Sequence, residues 1–200
     1  MFKQKLSLQE YLSLGYLYLV ILGIISEVIY FKILGVDILN YASISDILLS
    51  PLGIMASKPI LFIIFFVIIS AAFIFVAFVI PKLHQQFRDK KWYNKINDVE
   101  KSDEAHKKIR KEGAIPFILF MILSMFLGMG IGRGDTVKKR LQTNNFEPDC
   151  RIVLSDGISK DIYVIGQNSM YLFYVEKGQQ EITISAINPN IKSITNMPKP

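Results

Sequence analysis

The side chains in this chain that could perform acid–base, nucleophilic or metal chemistry do not fall into a catalytic or metal-ligating pattern. Glu27 is embedded in an apolar run. An ionisable group at such depth is a functional candidate by default. Its other role is structural: it lies roughly 9 Å from the middle of its run, where it can snorkel to the interface or meet Lys32. Asp37 and Asp46 stand nine residues apart in an apolar loop. With Glu27 they are the whole basis for a membrane-enzyme reading, whereas as caps or turn residues they serve backbone N–H groups. His84 and His106 are 22 residues apart with no second ligand at helical spacing, so no metal site is expected. Cys150 is the single cysteine; it permits no intramolecular disulfide and opens an apolar strand, as a buried structural thiol would. No nucleophile elbow, catalytic carboxylate pair or dinucleotide fingerprint is present. The glycines of 128–134 neither follow a strand nor precede Gly-Lys-Ser/Thr, which rules out a phosphate-binding loop. The sequence thus predicts no catalytic, cofactor-binding or metal residues.

The elements that carry these residues are dominated by one stretch. Ile60 to Ile80, between Pro59 and Pro81, has 21 residues, no charge and Ser70 as its one polar side chain. As a helix it is roughly 31 Å long, the hydrocarbon thickness of a bilayer. A helix apolar on every side has little use in a soluble domain of this size. A first span is expected over about 11–31, too long for a signal peptide, with Tyr11, Tyr16, Tyr18 and Tyr30 towards its ends. Loop 32–59 is expected to hold a short helix capped by Ser45 or Asp46 and ending before Pro51. That helix would lie in the interface or pack over the bundle mouth, with a re-entrant element as the alternative. A third span is expected over about 114–131, with Pro116 in its first turn. Ser124, Gly128 and Gly132 recur every four residues and share a face that would admit a second helix, within the chain or from another copy. The alternative is that the helix unwinds there.

Between the second and third spans, residues 81–113 hold ten Lys or Arg and six Asp or Glu. Two helices forming a cytoplasmic hairpin are expected, capped near Ser102 with acid in the first turn. Arg88, Lys90, Lys91, Lys95, Lys107, Lys108, Arg110 and Lys111 form its basic surface. Its expected partner is anionic lipid, at about 1 kcal/mol per basic residue near the surface. Trp92 and Tyr93 could stack on a nucleotide or nucleic-acid base, but the interleaved acids disfavour that partner. A polar linker is expected over 133–149.

Five segments with strand character follow in 150–196: CRIVL, DIYVIG, MYLFYVE, EITISAI and IKSIT, separated by turn chemistry that includes Asp156-Gly157. The fold class expected is therefore three transmembrane helices (1–132) plus a small all-β module, an Sm-like or SH3-like five-stranded barrel or bent sheet. So small a core is marginal alone and should lean on the membrane part or on sister subunits.

Connectivity puts the N-terminus and 81–113 on one side, with twelve Lys or Arg, and the β module on the other. The basic-residue rule makes the first side cytoplasmic and the β module extracytoplasmic. Three spans, a glycine-bearing third span and a trailing β domain, over 11–195, resemble the layout of the small mechanosensitive channels. The resemblance is one of layout, with sidedness inverted and no shared motif. It implies a pore-lining third span and assigns no residue a role. The function expected is a structural or interaction protein whose β module contacts partners or itself. The alternative is an oligomeric channel or membrane-disrupting effector, with Ser124, Gly128 and Gly132 around a pore and Glu27 or Arg133 near its mouth.

Overall fold

The computed structural model describes residues 7–57, 59–87, 90, 104, 108 and 114–197. Ser7 starts the first helix, α1 (Leu8–Ile33), by a reciprocal cap: Ser7 Oγ accepts from the Glu10 amide and the Glu10 carboxylate accepts from the Ser7 amide. The helix ends where the amides of Leu34 and Val36 return to the Phe31 carbonyl and that of Gly35 to Lys32. A 3₁₀ turn, Ile38–Asn40, leads to α2 (Ile44–Ser57). The cap of α2 is Ser43, not Ser45 or Asp46; Asp46 is its third residue and closes the same kind of box. The helix also does not stop before Pro51. Proline cannot donate to the Ile47 carbonyl, and the neighbouring Ser50 hydroxyl does so instead at 3.0 Å.

Next come α3 (Pro59–Ile74), a π-helical turn (Phe75–Val79) and α4 (Ile80–Phe87), without a break. The wide turn immediately precedes Pro81, whose ring would press on the preceding turn of a regular helix. The last helix, α5, runs Ala114–Gln142. It neither unwinds at its glycines nor gives way to a linker after 132; only 143–149 connect it to the sheet. Three helical stretches, Leu8–Ile33, Phe66–Phe87 and Pro116–Gln142, are long and apolar enough to cross a membrane, and α2 is a shorter apolar helix. The expected hairpin of 81–113 is helical through Phe87 and otherwise falls almost wholly outside the described residues.

The chain forms two compact units. Met55–Met125 is one. In it Phe73 and Phe117 stack at 6.0 Å, and Ile69, Ala77 and His84 are buried. The other joins Met1–Ile54 to Phe126–Pro200 and contains the sheet. All five expected strands are present: β1 (Cys150–Leu154), β2 (Ser159–Gln167), β3 (Tyr171–Glu176), β4 (Thr183–Ala186) and β5 (Ile191–Asn196). They pair antiparallel in the order β4-β3-β2-β1-β5, an open sheet with β4 and β5 at its edges. Asp156-Gly157 turns β1 into β2; Gly157 takes φ +88°, which a side chain disfavours, and Asp156 Oδ1 accepts from the Ile158 amide.

Alternation sends the sheet's side chains to two cores. Cys150, Ile152, Ile162, Leu172 and Tyr174 cluster on one face. On the other, Ile165, Phe173 and Val175 merge with Tyr30 and Phe31 of α1, Val36 and Ile38 after it, and Leu141 of α5. Phe31 and Phe173 meet at 4.9 Å between ring centres. Gly166 makes room for Phe31, whose Cζ would lie 2.8 Å from a Cβ there. Phe173→Ala should therefore cost about 3–5 kcal/mol and free the sheet from the helices. Limited proteolysis within 143–149 should accelerate well before far-UV circular dichroism reports any loss of helix.

Candidate functional site at the helix–sheet junction

Three groups of contacts build the junction, all within the sheet-bearing unit. In the first, α5 comes close to α1. A Cβ on Gly130 would lie 2.6 Å from the Ser26 carbonyl oxygen, and one on Gly134 would lie 2.9 Å from Ile33 Cδ1 and 3.2 Å from the Tyr30 carbonyl oxygen. These two glycines thus form the small-residue contact between helices. Gly128 and Gly132, singled out by spacing, have nothing within 4 Å of such a Cβ. Ser124 is exposed, its hydroxyl bonded back to the Phe120 carbonyl. The in-chain contact has therefore shifted by half a repeat from the expected face. Beneath Gly130, Ser26 is buried with Oγ unpartnered among the described residues. The close approach leaves space for no larger side chain.

Between the two glycine contacts lies the second group. Arg133 Nη1 stands 3.4 Å from Glu27 Oε1, both side chains about one-third exposed or less. The guanidinium also lies over the Tyr30 ring at 4.6 Å. Tyr30 then donates from its hydroxyl to the Ile165 carbonyl at 2.8 Å. Glu27 thus meets Arg133 rather than Lys32, and the pair connects through one ring to β2. A third helix joins at Gly23, where a Cβ would lie 2.5 Å from Ser50 Oγ of α2, and the Tyr16 hydroxyl donates to the Leu48 carbonyl.

The third group centres on Asp46. Its carboxylate accepts from the Ser43 amide (2.9 Å) and hydroxyl (2.6 Å), and from the Ser169 amide and hydroxyl, both at 3.0 Å. Asn168 Nδ2 donates to the Tyr41 carbonyl while its Oδ1 holds the amides of Met170 and Tyr171. The β2–β3 turn is thereby fastened to the start of α2. Partial burial works to raise the pKa of Asp46, but the bonds from Ser43 and Ser169 outweigh it and hold the carboxyl below its ordinary value.

Beside this junction is a cleft of about 500 Å³. Ile33 and Leu34 at the end of α1, Leu141 of α5, and Ile182 and Ile184 give it apolar walls. Asp37, Asn40, Lys138, Gln142, Gln180 and Glu181 supply its polar groups. Periodicity could not have found this site, because its residues come from three separate connections and helix ends. Of the predicted basic surface, Lys90 and Lys108 are exposed, with Lys90 Nζ 4.9 Å from the Phe87 ring. Arg88, Lys91, Lys95, Lys107, Arg110 and Lys111 lie outside the described residues, as does His106. Cys150 is buried, its thiol donating to Asn196 Oδ1 at 3.2 Å. Among the described residues no three His, Cys, Asp or Glu side chains converge as metal ligands.

Comparison with protein-family models, with curated proteins and with solved structures finds no match.

Two outcomes follow from the geometry. Alanine normally stabilises a helix by about 1 kcal/mol over glycine. Gly128→Ala and Gly132→Ala should follow that rule in a detergent melt of the monomer, while Gly130→Ala and Gly134→Ala should destabilise by about 1–3 kcal/mol. The lowered pKa of Asp46 means it stabilises the fold above the unfolded-state value of about 3.9 and loses that contribution as pH falls through the lower folded-state value. Asp46→Asn should lower the melting temperature by a constant amount between pH 5 and 8 and flatten the acid limb below about pH 4.

Proposed function

We propose that the chain is a multi-pass membrane protein of structural or interaction type, in which the helices hold a five-stranded sheet ready for a protein partner or a second copy. The observation that carries this reading is the shared core: Tyr30, Phe31 and Leu141 close one face of the sheet, while both of its edge strands stay unpaired. Unpaired edges recruit extended segments by main-chain hydrogen bonding. A non-catalytic role is supported by the separate engagement of two of the three candidate acids: Glu27 with Arg133, and Asp46 with two serines. The strand order and the enclosed cluster around Ile152 and Leu172 support a small-barrel relationship for the sheet. The excess of basic residues near the N-terminus and in 81–113 supports a cytoplasmic position for both, with the sheet extracytoplasmic.

A second reading, the oligomeric channel or membrane-disrupting effector, is favoured by one specific observation. After Gly130 and Gly134 are used within the chain, Gly128 and Gly132 still face open space. Copies packing there would place α5 around a central opening.

β5 already carries Lys192, and lysine on an edge strand opposes strand addition, which leaves β4 as the open edge. Thr183→Lys on β4 should abolish cross-linked assemblies of the full-length protein in membranes and leave its melting temperature unchanged. Assemblies that survive this lysine, yet vanish with Gly128→Leu and carry current in planar bilayers, would replace the first reading by the second.

A further inference from the structure

The cleft beside the junction has a charge arrangement that neither reading uses. Both helices that line it do so with their carboxyl ends, α1 at Ile33–Leu34 and α5 at Leu141–Gln142. A helix carries about half a negative charge at that end. Asp37 and Glu181 add two carboxylates, and Lys138 supplies the lining's single ammonium. All three are exposed, and no ion pair of theirs forms among the described residues. Lys32, Lys139 and Arg140 also stand in the last turns of these helices, Lys139 paired with Asp135 at 2.7 Å, but none of them lines the cleft.

We propose that the cleft binds the headgroup of a phospholipid bearing a primary ammonium, a phosphoethanolamine head, with its phosphate at Lys138 and its ammonium at Asp37 and Glu181. The proposal rests on the membrane placement given above and not on the interaction reading. Four features select this chemistry. Within the lining Asp37 and Glu181 outnumber Lys138, so an anionic head alone meets an excess of like charge there, while a zwitterion meets both signs. A primary ammonium has three N–H donors, and the carboxylates are joined by the side-chain oxygens of Asn40, Gln142 and Gln180 as acceptors. A quaternary head donates no hydrogen bond and favours an aromatic cage, whereas Tyr41 is the one ring in the lining. The apolar wall continues from Ile33 and Leu34 into α1, a candidate span, so acyl chains would leave the cleft along a surface suited to them. The volume, about 500 Å³, falls in the ordinary range for small-ligand sites.

Full-length protein in nanodiscs of equal phosphatidylethanolamine, phosphatidylcholine and phosphatidylglycerol content, ejected into native mass spectrometry, tests the assignment. The expected result is retention of phosphatidylethanolamine over each of the others by about tenfold, a difference of one ordinary polar interaction. Asp37→Asn with Glu181→Gln should erase the preference over phosphatidylcholine, and Lys138→Gln should weaken retention of both zwitterionic lipids alike. These side chains are exposed, so the variants should melt with the wild type. Equal retention of the three lipids, or a preference indifferent to these substitutions, overturns the proposal. Displacement of the lipid by micromolar soluble phosphoethanolamine also overturns it, because the site would then serve a water-soluble compound. Protein that never enters the nanodisc overturns the membrane placement itself, an outcome distinct from insertion without preference.

Discussion

The sheet owes its position to a single constraint: a β unit of this size cannot bury enough surface by itself. Its inner cluster around Ile152, Ile162 and Leu172 is complete, but Phe173 and Val175, on the strand that carries Leu172, face the opposite way. Left in water, those side chains would each forgo roughly 1.5–3 kcal/mol of burial. They are covered by the end of α1 and by Leu141. The sheet is consequently no tethered module. Residues 143–149 are a short connection between parts already locked together, and Tyr30, Asp46 and Asn168 add directional bonds where the apolar contact alone would tolerate sliding.

The same end of α1 is where α5 comes nearest, and the two facts are linked. A contact between α5 and α1 at Gly130 and Gly134 brings Leu141, two turns further on, against the sheet-facing cluster. Had the contact used Gly128 and Gly132, α5 would be turned about its axis and Leu141 would leave that cluster. Helix packing and sheet docking therefore impose one register on each other, which is the agreement between levels expected of a uniquely folded chain.

Much of this was legible in the residues. Length and uninterrupted apolarity identified three long helices, and alternation with turn residues identified all five strands. Four features escaped for physical reasons. The continuation of α5 beyond Ile131 is written in polar residues with two further glycines, a composition that reads as linker; close packing of Gly134 on Ile33 and Tyr30 offsets its weak helix propensity. The passage of α2 through Pro51 depends on the Ser50 hydroxyl serving a carbonyl, which no propensity scale registers. The choice between interleaved glycine pairs in GMGIGRG could not be made from spacing, because 128/132 and 130/134 repeat identically and only tertiary contacts distinguish them. The cleft was invisible for a related reason, since its acids and Lys138 converge only after α1, α5 and the β3–β4 connection have been placed.

The Glu27–Arg133 pair completes the argument about register. Partly buried ion pairs are seldom worth more than the apolar residues that could replace them, because desolvation consumes most of the attraction. At 3.4 Å and a single contact, this pair is no exception. Its value lies in discrimination. A one-turn slip of α5 against α1 keeps a single glycine at the Ser26–Ile33 segment and puts Phe126 or Lys138 in the place of the other. It would also carry Arg133 off the Tyr30 ring and strand Glu27 beside apolar side chains, a penalty of several kcal/mol for an uncompensated charge. We assign to these two residues the role of fixing one alignment of α5 on α1, and through Tyr30 and Ile165 one placement of the sheet, instead of any part in chemistry.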